Sequence, residues 1–134
     1  MVLKLDCMRA VLLAVEASGI DERLIFSRMC EKLPDYSEED VWYTCLKLEE
    51  AGFLSLETSN MSQQPLPPIN RVKYLTYQGH EFLAKIKDEK QWGILKKCLK
   101  AIRNYSLDAI KAASEGFATA GISAFVQTFL TENG

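Results

Sequence analysis

Apolar residues recur at two different spacings along the N-terminal part of the chain, and each change of spacing marks a change of element. Leu5, Met8, Leu12 and Val15 follow a helical period after Asp6, a good N-cap, until Ser18 and Gly19 interrupt the pattern. Asp21 is placed to cap a second helix carrying Leu24, Ile25, Met29 and Leu33. Pro34 ends it, because the residue before a proline is driven out of the helical region. In "YSEEDV", Ser37 stands at an N-cap with Asp40 at the third helical position, and Tyr36 and Val41 occupy the two positions of a hydrophobic staple. Val41, Cys45 and Leu48 then form the buried stripe of a third helix, which Gly52 terminates.

The period next shortens. "FLSLET", residues 53–58, alternates as a strand does, and "RVKYLT", residues 71–76, is a second strand of similar length. The segment between them, "SNMSQQPLPPIN", carries three prolines and no charge and reads as a loop. Thr76 is placed to cap a helix leaving the hairpin, with Phe82, Leu83 and Ile86 on its buried side. Gly79 falls in the first turn of that helix, where a missing side chain lets the backbone approach a neighbour closely. The expected fold is mainly α with a small two-stranded hairpin: a winged helix in the order helix, helix, helix, strand, strand, helix. It spans residues 1–90 with a long Pro-rich wing loop at 59–70, and residues 91–134 form C-terminal helices. Leu12, Val15, Val41, Cys45, Leu48, Leu54, Leu75, Phe82 and Ile86 are the expected core.

In the C-terminal part, Leu95, Cys98, Leu99, Ile102 and Tyr105 continue an apolar face, with Trp92 and Gly93 marking a bend or packing contact near its start. Ser106 opens a last helix with "SLDAIK". From Gly116 to Thr131 there is no charged residue. A membrane span needs about 20 predominantly apolar residues, so this run is too short to cross unaided. Small residues at three- and four-residue spacing, among them Gly116, Ala120, Gly121 and Ala124, alternate with Phe117 and Phe125 and suit close packing of two helices. A homo-oligomer through this helix is expected, and a helix folded back across its own domain is the alternative.

The formal net charge of the 134 residues is -2, but its distribution is uneven. Residues 1–70 hold six Lys/Arg against twelve Asp/Glu, residues 71–103 nine against three, and residues 104–134 one against three. Mutual attraction of acidic and basic parts is the ordinary reading of such a pattern. Cys7, Cys30, Cys45 and Cys98 form no C-x-x-C pair and read as reduced, mostly buried thiols. Asp6 and Arg9 interrupt what would otherwise resemble a signal peptide, so a cytoplasmic protein is expected.

"LKLDCMRAVLLAVE", "YSEEDVWYTCLKLEEAGFL", "LTYQGHEFLAKIKDEKQWGILKK" and "SLDAIK" resemble the successive blocks of an uncharacterised family of small proteins from bacteria, phages and prophages. That family is a domain of unknown function whose members resemble winged helices. The resemblance covers roughly residues 3–113, and its most specific block is "LTYQGHEFL" together with Trp92. More distantly, "LEEAGFL" followed by "YLTYQGHEFL" is similar to the recognition helix, wing strand and exit helix of MarR-like and PadR-like regulators. The resemblance implies a fold and a phage-associated context. It implies no established activity and no site residues.

The residues themselves speak against catalysis. His80 is the only histidine, glycine-rich phosphate loops are absent, and no nucleophile has a base beside it in the pattern. The carboxylate pairs Glu38–Glu39 and Glu49–Glu50 occupy adjacent helical positions and diverge. His80, Trp42 and Trp92 read as structural residues, and neither a cofactor nor a metal is expected. If the third helix were to read DNA, its outward face would be Glu39, Asp40, Tyr43, Thr44, Lys47 and Glu50. One lysine against three carboxylates repels the phosphate backbone. That face, represented by Glu39, Asp40, Tyr43 and Lys47, is better suited to a protein partner, which is the favoured reading. The runner-up is a DNA-binding regulator that uses Arg71 and Lys73 near the wing with a basic strip of Lys96, Lys97, Lys100 and Arg103 on the later helices.

Overall fold

The computed structural model describes the backbone of residues 1–59, 66–102 and 107–120, and the side chains of those residues except 102 and 115–120. Among the described residues there are six helices and three strands. In chain order these are α1 (Leu5–Ala17), β1 (Leu24–Ile25), α2 (Phe26–Lys32), α3 (Glu38–Glu50), β2 (Leu54–Thr58), β3 (Ile69–Leu75), α4 (Tyr77–Ile86), α5 (Glu89–Ile102) and α6 (Leu107–Ala120). The protein is mainly helical, with one small antiparallel sheet in the order β1-β3-β2. It divides into two compact units, Met1–His80 and Glu81–Gly134.

Two expectations near the N-terminus need correction. Asp6 does not cap α1: Lys4 holds the cap position without a side-chain bond, and Asp6 lies in the first turn, where its carboxylate still meets the positive end of the helix dipole. The second helix does not begin at Asp21. Leu24 and Ile25 form β1 opposite Val72 and Arg71, and α2 starts only at Phe26. The sheet is therefore three-stranded, not a two-stranded hairpin. Helical spacing at Leu24 and Ile25 lost to a tertiary gain, since the strand pairing satisfies their backbone and leaves Leu24 only 3% exposed.

α3 forms as its sequence dictates. Ser37 Oγ accepts the Asp40 N–H at 3.1 Å, and Val41, Thr44, Cys45 and Leu48 face the core. The helix ends at Glu50 with Ala51 as its C-cap, and Gly52 follows with φ 86°, in the left-handed region glycine tolerates. Between Ser55 and Leu56 the β2–β3 register shifts, and the Leu56 N–H donates to Glu49 Oε2 at 3.0 Å instead. β3 begins at Ile69, earlier than the alternation suggests, because Ile69 is buried and Ser59 bonds both Asn70 and the Pro68 carbonyl.

Gly79 is fixed by a knot of four short segments. Thr76 Oγ1 accepts the Gly79 N–H at 3.0 Å and donates to the Gly52 carbonyl at 2.5 Å, while the Thr76 N–H donates to the Phe53 carbonyl at 3.1 Å. The start of α4 is thus pressed onto the junction of α3 and β2. A Cβ on Gly79 would collide with the Phe53 carbonyl.

All nine expected core residues are buried. In the second unit, α5 packs against α6, and Asp88 Oδ1 accepts the Gln91 N–H at 2.9 Å at the start of α5. Trp92, Leu95, Cys98 and Leu99 form the buried stripe of α5. Trp92 is a packing contact, whereas Gly93 meets nothing within 4 Å that a side chain would disturb.

Candidate functional site

The outward face of α3 carries charge that is largely paired. Lys4 Nζ donates to Asp40 Oδ2 at 2.8 Å, and Lys47 Nζ donates to Glu50 Oε2 at 3.0 Å. Lys47 also stands 5.5 Å from the centroid of the Tyr43 ring, within cation–π range. The Lys4 ammonium holds Asp40 below the usual carboxylate range, with smaller help from the Ser37 bond, and Asp40 in turn raises Lys4. Glu50 raises Lys47 in the same way.

Beside this face lies a hollow of 240 Å³ lined by Met1, Val2, Lys4, Glu39, Asp40 and Tyr43. Three of the four residues singled out for a protein partner therefore converge on one place, and Lys47 joins them through the Tyr43 ring. Glu39 is exposed, while Asp40, Tyr43 and Lys47 are half-buried by their contacts and are not free surface groups. Thr44 does not belong to the face at all. The residue is 1% exposed, and its hydroxyl donates to Cys7 Sγ at 3.4 Å between α1 and α3. The contribution of Met1, Val2 and Lys4 was invisible to helical spacing, because they precede α1 and reach α3 only through the fold.

The basic positions are more scattered. Arg71 Nε donates across the sheet to Glu57 Oε2 at 3.0 Å, so this cation is already paired. Lys73 is exposed and lines a different cleft. On α5, Lys97 and Lys100 are exposed and Lys96 half-buried, turned away from the Trp92–Leu99 stripe; Arg103 lies outside the described residues. Of the positions assigned to self-association, Gly116, Phe117 and Ala120 fall on the α6 backbone with side chains outside the described set, and Gly121, Ala124 and Phe125 lie outside it altogether.

Trp42 is half-buried, and its Nε1 donates to the Pro67 carbonyl at 3.0 Å, tying the chain that leads into β3 to α3. His80 is exposed instead of packed, and it lines a cleft of 420 Å³ with Lys73, Tyr74 and the end of α1. The four cysteines are free, and burial pushes each thiol above its ordinary value; at Cys7 the Thr44 bond offsets part of that rise. Among the described residues no group of three or more His, Cys, Asp or Glu is placed to hold a metal, and no helix is long and apolar enough to cross a membrane.

No solved structure matches the chain. An uncharacterised protein of Haemophilus influenzae is 30% identical over 112 residues, which cover 82% of this chain and 89% of that relative. The family described as "Hypothetical protein (DUF2513)" matches residues 3–106, a span that contains the α3 face, the sheet and α5, and the chain belongs to that family.

Proposed function

We propose that the first unit is a winged-helix-like module that binds a protein partner through the outward face of α3, in a regulatory protein of phage-associated type that carries out no catalysis. The winged-helix reading is supported by the element order from α1 to β3, with one short strand between α1 and α2, and by the sheet order β1-β3-β2. The phage association rests on the resemblance of the sequence blocks alone. The non-enzymatic reading is supported by thiols that burial keeps protonated and by a single histidine with no nucleophile bonded to its ring among the described residues.

The observation that carries the partner reading is the pairing on α3. Lys4 and Lys47 are both paired with carboxylates that compete with phosphate for them, and Glu38 and Glu39 add negative charge at the helix entrance. Tyr43 beside the hollow offers the kind of aromatic anchor that dominates protein interfaces. Fluorescence anisotropy with a labelled duplex at about 150 mM salt tests the first half, and no retention is expected. Capture with wild-type and Tyr43→Ala bait tests the second: a protein held by the first and lost from the second supports the reading. Duplex binding abolished by Lys47→Ala overturns it.

A DNA-binding regulator remains the second reading, because Lys97 and Lys100 project from α5 into solvent. Duplex retention that falls with salt and disappears on joint replacement of Lys96, Lys97 and Lys100 would establish it in place of the first.

A further inference from the structure

The hollow beside α3 has two walls of different kinds. Glu39, Asp40 and Tyr43 belong to α3, whereas Met1, Val2 and Lys4 belong to a non-helical segment that runs ahead of α1. Lys4 is extended, with φ -93° and ψ 124°, and its carbonyl accepts the Met8 N–H at 3.0 Å, which anchors the segment where α1 begins. Beyond that anchor it is held by the half-buried Leu3 side chain and by one ion pair, Lys4 Nζ to Asp40 Oδ2 at 2.8 Å. Among the described residues Met1, Val2 and Leu3 make no hydrogen bond.

This hold is weak. Met1 is 68% exposed and Val2 74% exposed, and the hollow they line keeps 240 Å³ open, so the segment spans the face without packing closely on it. The Lys4 side chain is 55% exposed, and an exposed pair of this kind shifts an equilibrium by about fivefold at most. With the segment aside, Asp40 loses the one cation that bonds it among the described residues, while Glu38 and Glu39 stand beside it with no ion pair of their own. An occupant of this place must therefore bring a cation to Asp40, as Lys4 does, and an apolar side chain for the open space beside Tyr43.

We propose that residues 1–4 are a displaceable strap over the α3 site, and that the partner replaces them with a segment in which apolar residues precede a lysine or arginine, seating the cation on Asp40 and an apolar side chain in the hollow. The proposal rests on α3 being the partner face. The strap itself shows the chemistry that the face accepts, and the open hollow shows where a partner gains over it. A larger apolar side chain buries surface that Met1 and Val2 leave exposed, and an arginine fork matches a carboxylate better than an ammonium does.

Two measurements on the full chain test the two halves. Nitration by tetranitromethane, read by mass spectrometry, reports the strap: Lys4→Ala is expected to raise Tyr43 nitration about two- to fivefold and to leave Tyr74 of β3 unchanged. Raised salt is expected to do the same in the wild type and nothing further in Lys4→Ala. The probe for the partner is the acetylated peptide Met-Val-Leu-Lys, a copy of the strap, titrated to about 20 mM while the amide NMR signals of α3 are followed. It is expected to shift Asp40 and Tyr43, at about two- to fivefold lower concentration in Lys4→Ala, where the chain's own strap no longer competes. Phe-Val-Leu-Arg is expected to bind more tightly, and Met-Val-Leu-Glu to leave α3 unmoved. Unchanged Tyr43 nitration in Lys4→Ala overturns the proposal, as does equal response to the lysine and glutamate peptides or equal peptide affinity of the wild type and the variant. Capture by wild-type but not Tyr43→Ala bait is read separately, so the α3 reading survives a failure of the strap.

Discussion

A single methylene separates opposite outcomes at two glycines. Gly79 faces the Phe53 carbonyl at the close approach of α4, so Gly79→Ala must displace backbone and is expected to cost about 1–3 kcal/mol. Gly93 lies within α5 with open space around it, and Gly93→Ala is expected to stabilise by about 0.5–1 kcal/mol through helix propensity. Urea denaturation of the two variants checks both signs. Asp40 makes a second residue-level prediction. Its folded value is depressed by Lys4, so the pair's contribution is present above the ordinary aspartate value of 3.8 and is lost as pH falls through the lower folded value. NMR titration should place Asp40 below 3.8, and Lys4→Ala should return it toward that value. The difference in stability between Lys4→Ala and the wild type should fade in strong acid.

At the scale of elements, α3 is held by its cap and its stripe. Ser37→Ala removes the acceptor of the Asp40 N–H and is expected to cost about 1 kcal/mol. Leu48→Ala empties a fully buried site and is expected to cost about 2–5 kcal/mol. Thermal or chemical unfolding should rank Leu48→Ala well below Ser37→Ala. These features were legible because cap, period and stop signal coincide within the segment itself. β1 was not legible: two residues carry no period, and Leu24 and Ile25 become a strand only through Val72 and Arg71 far along the chain. Thr44 shows the same limit in a side chain. The sequence placed it on the outward face with Glu39, Asp40 and Tyr43, whereas it is buried with its hydroxyl bonded to the Cys7 sulfur of α1, a partner that α3 alone does not reveal. The hollow beside Tyr43 was half legible, since α3 spacing gathered Glu39, Asp40 and Tyr43 while the N-terminal wall could not be read from any helix pattern.

The whole molecule divides its charge between its two units. Residues 1–80 hold eight Lys/Arg against twelve Asp/Glu, net -4, and residues 81–134 hold eight against six, net +2. Within the second part, the stretch from Gly116 to Thr131 has no charge at all, although it follows the lysine-rich α5. Were the helix expected from the sequence to run through this stretch, small residues at Gly116, Ala120, Gly121 and Ala124 would allow two backbones to approach, and Phe117, Phe125 and Phe129 would bring more apolar surface than a small domain readily covers. We propose that this segment joins two copies of the chain as a symmetric dimer. Light scattering on the full chain and on a chain ending at Ser114 is expected to give a dimer and a monomer, respectively. Gly121→Leu should dissociate the dimer by blocking the approach. If both chains are monomeric and the shorter one has lost stability, the segment belongs to the core of a single copy, and the small residues serve packing within it.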